Sequence, residues 1–63
     1  MRARLCCRYR VQHSYLPQHS DELQLTIGDI IKVTEKCDDG WWVGAANSTN
    51  KFGLFPGNYV KPL

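Results

Sequence analysis

The pattern of apolar and polar residues predicts short β-strands and no helix from Gly28 to the end of the chain. Apolar and polar residues alternate in Leu-Gln-Leu-Thr-Ile at positions 23–27, which is the period of a half-buried strand. Further on, polar, Gly-containing or Pro-containing turns at 28–29, 38–40, 47–51 and 56–58 separate runs of β-branched, aromatic and other apolar residues. Five strands are therefore predicted, at Leu23–Ile27, Ile30–Val33, Trp41–Ala45, Phe52–Phe55 and Tyr59–Lys61.

Strands that recur every eight to twelve residues predict an all-β fold, a small sandwich or barrel. A chain of 63 residues buries only roughly 60% of its unfolded surface, which leaves room for one domain and none for a deep catalytic cleft. A binding surface is the expected functional feature. Gly44 is expected where two sheets approach closely. The predicted core is one layer of apolar side chains, comprising Val11, Leu23, Leu25, Ile31, Val33, Phe55 and Val60.

The positive charge is concentrated at the start of the chain. Four arginines lie within the first ten residues without an acid among them, whereas four lysines face six acids from Val11 onward, within a net charge of +2. Residues 1–8 are therefore expected to form a flexible basic extension, and residues 9–63 the folded domain. Because the folded part carries an excess of acids, no nucleic-acid partner is expected.

The cysteines and histidines suggest neither a disulfide framework nor an active site. Cys6 and Cys7 are adjacent, a spacing that disfavours a disulfide between them and lacks the spacer of a zinc knuckle. No apolar run is long enough for a signal peptide or a membrane span, so a reducing, cytoplasmic location without membrane insertion is expected. Cys37 with His13 or His19 is the only cysteine–histidine candidate for catalysis in the folded part. An enzyme, a metal site and a cofactor are not expected.

Aromatic residues point instead to a recognition surface. Trp41 and Trp42 are neighbours on a predicted strand, so their side chains point to opposite faces and at least one indole lies outside the small core. That indole could simply cover a neighbouring strand; alternatively, it is a binding platform, since tryptophan is enriched at interaction hot spots. We assign the platform to Trp41, together with Tyr15, Pro56 and Tyr59 at the ends of loops and strands.

A shallow row of rings beside acidic loops suits a polyproline II peptide that carries a basic residue. Such a helix has three residues per turn and rises about 3.1 Å per residue, so its prolines can sit between successive rings. Acids near the row would select an arginine or lysine beside the prolines, although a run of charges can also be no more than a solvated face. The acids in question are Asp21, Glu22, Glu35, Asp38 and Asp39.

These residues resemble the Src-homology 3 (SH3) family over residues 9–63. The resemblance rests on Tyr15, Asp-Glu-Leu at 21–23, Gly-Asp at 28–29, Gly-Trp-Trp at 40–42, Gly44 and Gly-Leu-Phe-Pro-Gly-Asn-Tyr-Val at 53–60. It implies a five-stranded barrel of two orthogonally packed sheets with one short 3-10 turn near Pro56–Tyr59. The peptide-binding positions that it implies are His13, Tyr15, Trp41, Leu54, Pro56, Asn58 and Tyr59, with the five acids named above as the specificity pocket.

Two positions depart from the family pattern, because His13 and Leu54 stand where many members have tyrosines. Three segments are similar to SH3 domains of endocytic and cytoskeletal adaptors that prefer atypical proline–arginine motifs, namely Tyr-Leu-Pro-Gln at 15–18, Asp-Glu-Leu at 21–23 and Gly-Leu-Phe-Pro at 53–56. This similarity implies a monomeric, non-catalytic signalling module of a larger multidomain protein, whose partners are proline-rich segments with a flanking Arg or Lys. An SH3-type domain that binds ubiquitin on the same face is the alternative.

Overall fold

The computed structural model describes residues 7–63, which form an all-β domain. In chain order the elements are β1 (Cys7–Val11), β2 (Ile30–Lys36), β3 (Trp41–Ala46), β4 (Phe52–Pro56), the 3-10 helix η1 (Gly57–Tyr59) and β5 (Val60–Pro62). The all-β class, the number of strands and the 3-10 turn after Pro56 are confirmed, while one of the predicted strands is replaced by another. No helix within residues 7–63 has the length and apolar character needed to cross a membrane.

The strands form one antiparallel ladder in the order β4-β3-β2-β1-β5. The hydrogen bonds therefore link all five strands of the predicted small barrel into one continuous sheet. A register shift between Val33 and Glu35 interrupts the pairing of β2 with β3. Such an irregularity increases the local bend and twist of a strand, which helps a small sheet to close around a core.

The first strand of the structure was not among the predicted ones. In β1, Tyr9 and Val11 are buried while Arg8 and Arg10 are exposed, so the segment has the alternation of a half-buried strand despite its charge. β1 begins at Cys7, so the last two residues of the predicted 1–8 extension belong to the sheet. Residues 1–6 lie outside the described residues.

The strand predicted at Leu23–Ile27 is not a regular strand in the structure. The segment pairs through isolated bridges only, Tyr15 with Leu25 and Glu22 with Leu54. Leu23 donates its backbone N–H to Leu54 at 2.7 Å, whereas Leu25 and Tyr15 exchange hydrogen bonds of 2.9 and 3.0 Å. The segment changes its hydrogen-bonding partner between Leu23 and Leu25, so it forms no continuous ladder. Both leucines are nevertheless buried. The segment lies in the long loop between β1 and β2, residues 12–29.

The core contains all seven predicted side chains and two more, Tyr9 and Ala46. Gly44 is buried on β3, close to β2 and β4. A Cβ placed there would lie 2.8 Å from the carbonyl oxygen of Lys32 and 3.2 Å from the Phe55 ring. Only glycine therefore allows β3 to approach its neighbours this closely.

Candidate aromatic peptide-binding groove

Four rings from three separate parts of the chain form a continuous row on the surface. The Tyr15 ring lies 6.0 Å from the Trp41 ring and 5.8 Å from the Tyr59 ring, and the His13 and Tyr59 rings lie 5.7 Å apart. Each contact is edge-to-face, which leaves ridges and hollows along the row rather than a flat stack. The row thus runs Trp41–Tyr15–Tyr59–His13, and we call it the aromatic row.

The two neighbouring tryptophans face different surroundings, as their positions on one strand predict. The Trp42 ring packs 5.2 Å from Tyr9 and 6.5 Å from Phe55, against the core. Lys36 lies over its face with Nζ 4.6 Å from the ring centroid. Trp41, in contrast, has its ring contact with Tyr15. Trp41 is therefore the indole that belongs to the aromatic row.

Two shallow clefts lie along the row. One is lined by Asp39, Gly40, Trp41, Trp42, Pro56, Gly57 and Asn58. The other is lined by His13, Ser14, Ile27, Asn58 and Tyr59. Asn58, exposed in the 3-10 helix, borders both clefts and so lies between them. We call them the Trp41 cleft and the His13 cleft.

The 3-10 helix holds the two ends of the row in place. Pro56 pairs with Trp41 across β3 and β4, and η1 follows directly. A Cβ on Gly57 would overlap the Trp42 indole, so glycine lets the turn pack flat against that ring. At the other end, the carbonyl of Tyr59 accepts the N–H of Gln12 at 2.8 Å and that of His13 at 3.3 Å. Tyr59 and His13 are thus joined through the backbone as well as through their rings.

Leu54 lies apart from both clefts. Leu54 and Pro56 are the residues before and after the buried Phe55, so their side chains point to the same face of β4. The backbone of Leu54 is paired with the long loop, since Leu54 donates its N–H to the Asp21 carbonyl at 2.9 Å. Leu54 is half-buried and continues the surface from Pro56 toward that loop.

The acids predicted as a specificity pocket do not share one environment. Asp21, Glu35, Asp38 and Asp39 are exposed. Of these, Asp39 lines the Trp41 cleft, and its Oδ1 accepts the backbone N–H of Trp41 at 3.1 Å. A carboxylate is thereby fixed next to the indole at one end of the row.

Glu22 differs from the other acids because its carboxylate organises the long loop. Its Oε1 accepts the Tyr15 hydroxyl at 2.7 Å and the Gln18 backbone N–H at 2.6 Å, and its Oε2 lies 2.8 Å from Nδ1 of His19. The Glu22 side chain is only 9% exposed, against 75% for His19. The sequence predicts Glu22 only as an acid facing the ligand and gives no signal for this structural role.

The hydrogen bonds around Glu22 shift the pKa values of three side chains, those of Glu22, Tyr15 and His19. The bond from His19, followed by those from Gln18 and Tyr15, lowers the pKa of Glu22 to about 2. Donation to the Glu22 carboxylate raises the pKa of Tyr15 to about 12, and the same carboxylate raises the pKa of His19. Glu22 is therefore ionised, and the Tyr15 hydroxyl protonated, at neutral pH. This bond orients the ring at the centre of the aromatic row.

Two further features of the described residues concern metal binding and the reactivity of Cys37. Within residues 7–63, no group of three or more His, Cys, Asp or Glu side chains is placed to hold a metal ion. Cys37 is a half-buried free thiol at the turn between β2 and β3. Its burial, followed by the nearby acids Glu35, Asp39 and Asp38, raises its pKa, which disfavours the reactive thiolate.

Comparison with known proteins links this geometry to a family. Residues 10–57 match the family model described as SH3 domain. The chain is 54% identical to mouse vinexin over 55 residues and 60% identical to the Caenorhabditis elegans homolog of sorbin and SH3 domain-containing protein 1 over 53 residues. It is 52% identical to human CD2-associated protein over 54 residues. These alignments cover 87%, 84% and 86% of this chain but only 8%, 5% and 8% of the relatives.

Solved structures resemble the chain over nearly its whole length. The C-terminal SH3 domain of Entamoeba histolytica myosin IB bound to EhFP10(GEF) peptide superposes with a TM-score of 0.85 at 33% identity, covering 97% of this chain and 98% of that one. The SH3 domain of yeast Nbp2p in complex with a peptide from Ste20p gives a TM-score of 0.85 at 30% identity, covering 94% and 88%. Both of these related domains were solved with a peptide bound.

Proposed function

The chain belongs to the SH3 domain family, and from that membership we propose that it is a non-catalytic adaptor module for proline-rich peptides carrying a flanking arginine or lysine. The observation that carries the proposal is the aromatic row, four rings in edge-to-face contact with a shallow cleft beside each end. A polyproline II segment keeps its shape before binding, so it loses little conformational freedom when it docks on such ridges.

The length of the row matches a short peptide. Three ring-to-ring steps of 6.0, 5.8 and 5.7 Å correspond to a polyproline II segment no longer than about six residues, at about 3.1 Å per residue. Such a segment presents two turns, and hence two sets of proline rings, to the hollows between the aromatic side chains. Tyr15 lies at the centre and contacts both Trp41 and Tyr59.

The charge at the Trp41 end supports a basic residue in the ligand. Asp39 lines the cleft there, and the neighbouring Asp38 and Glu35 are exposed on the same turn and strand end. Arginine suits this end because its planar guanidinium can donate two hydrogen bonds to one carboxylate and stack on the indole. Glu22 and Asp21 add negative charge from the long loop. Glu22 does so as an ionised group already holding three donors.

The module is proposed to act as part of a longer cytoplasmic protein. Its curated relatives are more than ten times its length, since the chain spans no more than 8% of those compared above. An SH3 domain within such a chain contributes a binding step, while other segments determine what is brought together.

An array of proline-rich peptides, each made with arginine and with citrulline at the flanking position, tests the proposal. Citrulline keeps the shape of arginine without its charge, so the ratio of the two affinities isolates the contribution of the acids. We expect arginine peptides to bind several-fold more tightly and raised salt to reduce this difference. The double variant Asp38→Asn, Asp39→Asn should abolish the difference, because it removes the negative charge. Asparagine is used because it keeps an acceptor for the backbone N–H of Trp41. An unchanged arginine preference would place the basic residue elsewhere.

Ubiquitin should be titrated in the same assay, because a surface of exposed rings could also take a folded partner. Ubiquitin binding that survives competition by the tightest proline-rich peptide would show that the two do not share the aromatic row. Ubiquitin binding without any peptide binding would overturn the proposal.

A further inference from the structure

Four basic side chains lie together on the outer face of the sheet. Arg8 on β1 lies opposite Lys32 on β2 in the register of the two strands. Arg10, two residues further along β1, lies opposite Lys61 on β5. Residues opposite each other, or two apart on one strand, share a face of the sheet. All four side chains are exposed, whereas Tyr9 between the arginines is buried. We call these four residues the basic face.

The fold does not neutralise the charges of the basic face. Like charges directly opposite each other on neighbouring strands repel, so the two pairs lower the stability of the sheet. Within residues 7–63, none of the four cations has a carboxylate partner, since the only ion pair there joins His19 and Glu22. The nearby Asp29 carboxylate is occupied, because it accepts the Ile30 N–H and the Ser48 hydroxyl, each at 2.8 Å. The basic face is thus open to an anion from outside the domain.

A shallow cleft beside Arg8 and Lys32 provides further hydrogen-bond donors. Besides these two cations, it is lined by Leu63 and by two side chains of the loop between β3 and β4, Asn47 and Asn50. No acid lines this cleft. Side-chain amides donate hydrogen bonds, and together with arginine and lysine they suit phosphate oxygens, which accept several hydrogen bonds at once.

Exposed apolar side chains flank the basic face along one row across the strands. Phe52 on β4 lies opposite Ala45 on β3, and Ala45 lies opposite Lys32. On the other side, Leu63 donates its N–H to the Arg8 carbonyl at 3.1 Å. Phe52 is 74% exposed and Leu63 62%. At about 4.8 Å between strands, the row spans about 19 Å from one apolar side chain to the other.

We propose that the basic face binds a membrane surface that contains anionic phospholipids, with lipid phosphates beside Arg8 and Lys32. Cations in the middle of a surface and apolar side chains at its margins match a lipid interface, where headgroup phosphates lie next to the acyl chains. A soluble acidic chain would also be attracted by the cations, but it would leave Phe52 and Leu63 without a role. The two apolar side chains therefore favour a membrane.

The charges in the rest of the chain are consistent with this surface. Two more arginines, Arg2 and Arg4, precede β1 in the sequence. The exposed acids Glu35, Asp38 and Asp39 lie in another part of the domain, after the register shift in β2 and in the turn that follows.

The basic face is also separate from the aromatic row. None of its four cations lines the Trp41 cleft or the His13 cleft. The inference therefore does not depend on the proposed peptide-binding function, and a peptide and a membrane can be bound by one domain at the same time.

Cosedimentation with lipid vesicles tests the inference. The vesicles are made of phosphatidylcholine alone or with one-fifth phosphatidylserine, and a glutamate-rich peptide and a single-stranded oligonucleotide serve as soluble polyanions. The proteins are the parent chain, Lys32→Glu, Lys61→Glu, Phe52→Ser and the matched control Lys51→Glu. The control makes the same change of net charge at an exposed lysine outside the basic face.

The parent is expected to bind the phosphatidylserine vesicles and not those of phosphatidylcholine alone, and added salt should weaken the binding. Lys32→Glu and Lys61→Glu should each lower the affinity at least about tenfold, since every basic residue near an anionic leaflet adds to the attraction. Lys51→Glu should lower it by no more than about threefold, because charges beyond about 10 Å are largely screened. Each new glutamate in the basic face lies opposite an arginine, so both variants should stay folded, as melting curves will check.

Phe52→Ser separates a membrane from a soluble partner. The variant should lower the affinity for phosphatidylserine vesicles about fivefold, because less apolar surface enters the lipid interface. Any weak binding of the soluble polyanions should be unchanged by it.

Three outcomes would overturn the inference. The first is equal sedimentation of the parent with both kinds of vesicle. The second is a loss in Lys51→Glu as large as that in Lys32→Glu, because binding would then follow net charge rather than this face. The third is tighter binding to either soluble polyanion than to the vesicles, or vesicle binding unaffected by Phe52→Ser, which would assign the surface to a soluble acidic partner. Vesicle binding should persist in Trp41→Ala, so a failure of the proposed peptide-binding function would not change the result of this test.

Discussion

Replacing Trp42 by alanine should destabilise the domain far more than replacing its neighbour Trp41. The Trp42 indole fills the space between β1, β4 and the 3-10 helix, with Tyr9 and Phe55 at 5.2 and 6.5 Å and Gly57 packed flat against it. Truncating a fully buried tryptophan to alanine costs about 3–5 kcal/mol. Because Trp42 is half-buried, we expect the lower end of that range, about 3 kcal/mol.

That loss is large for a domain of this size. At about 0.05–0.15 kcal/mol per residue, a 63-residue domain has a free energy of unfolding of roughly 3–9 kcal/mol. Trp42→Ala therefore removes a third of the stability or more, and at about 4–8 °C per kcal/mol lowers the melting temperature by at least about 10 °C. Trp41 is also half-buried, but unlike Trp42 it is not packed against the core, so its truncation should cost less than about 1 kcal/mol.

Urea unfolding followed by far-ultraviolet circular dichroism measures both variants without relying on tryptophan fluorescence. Trp42→Phe serves as an intermediate case, since it keeps a ring against Tyr9 and should lose less than the alanine variant. Equal destabilisation by Trp41→Ala and Trp42→Ala, or a larger effect of Trp41→Ala, would refute the assignment of the two faces.

Two further predictions concern charges away from the indoles. Lys32 lies directly opposite Arg8 in the register of β1 and β2. Lys32→Glu should therefore replace a repulsion by an attraction and raise the free energy of unfolding by about 0.2–1 kcal/mol. Added salt should diminish this gain, and a lower stability of the variant would contradict the prediction. His19 should titrate above its ordinary pKa of 6.5 by NMR and return toward it in Glu22→Gln. Because folding raises the pKa of His19, the contribution of His19 to the stability of the fold is complete below its unfolded pKa and is lost as pH rises through its folded pKa. Folding lowers the pKa of Glu22 to about 2, so the contribution of Glu22 to stability is lost as pH falls from about 4.5 toward that value. A His19 pKa that does not respond to Glu22→Gln would refute the bond.

The core could be predicted from the sequence because period-two alternation identifies inward-facing positions even where the strand boundaries are wrong. Leu23 and Leu25 are buried as predicted, yet their segment is not a regular strand. Alternation reports which side chains face inward, whereas a ladder needs one partner strand along its length. The segment has different partners at Leu23 and Leu25, and no local pattern reveals that change.

The sequence also contained a signal for β1 that the charge obscured. Arg-Tyr-Arg-Val at positions 8–11 alternates polar and apolar residues as a strand does, and Tyr9 and Val11 are buried. The arginines suggested a solvated extension, but a sheet with one solvent-facing side accommodates them. For this segment, the alternation of polar and apolar residues at positions 8–11 therefore predicts the strand better than the charge of the first ten residues does.

The role of Glu22 could not be derived from the sequence. Three donors at positions 15, 18 and 19 meet one carboxylate only because the loop folds back on itself. The sequence shows an acid beside another acid, which suggests a charged surface.

The aromatic row as the peptide-binding surface is tested most directly by an NMR titration of the parent chain and Trp41→Ala with one proline-rich, arginine-flanked peptide. In the parent, the largest shifts should fall on the Trp41 indole N–H and on residues along the row, through Tyr15, Asn58 and Tyr59 to His13. Trp41→Ala should keep the dispersed spectrum of a folded domain and lose those shifts. Shifts centred instead on the outer face of the sheet, around Arg8 and Lys32, or undiminished binding in Trp41→Ala, would contradict the account.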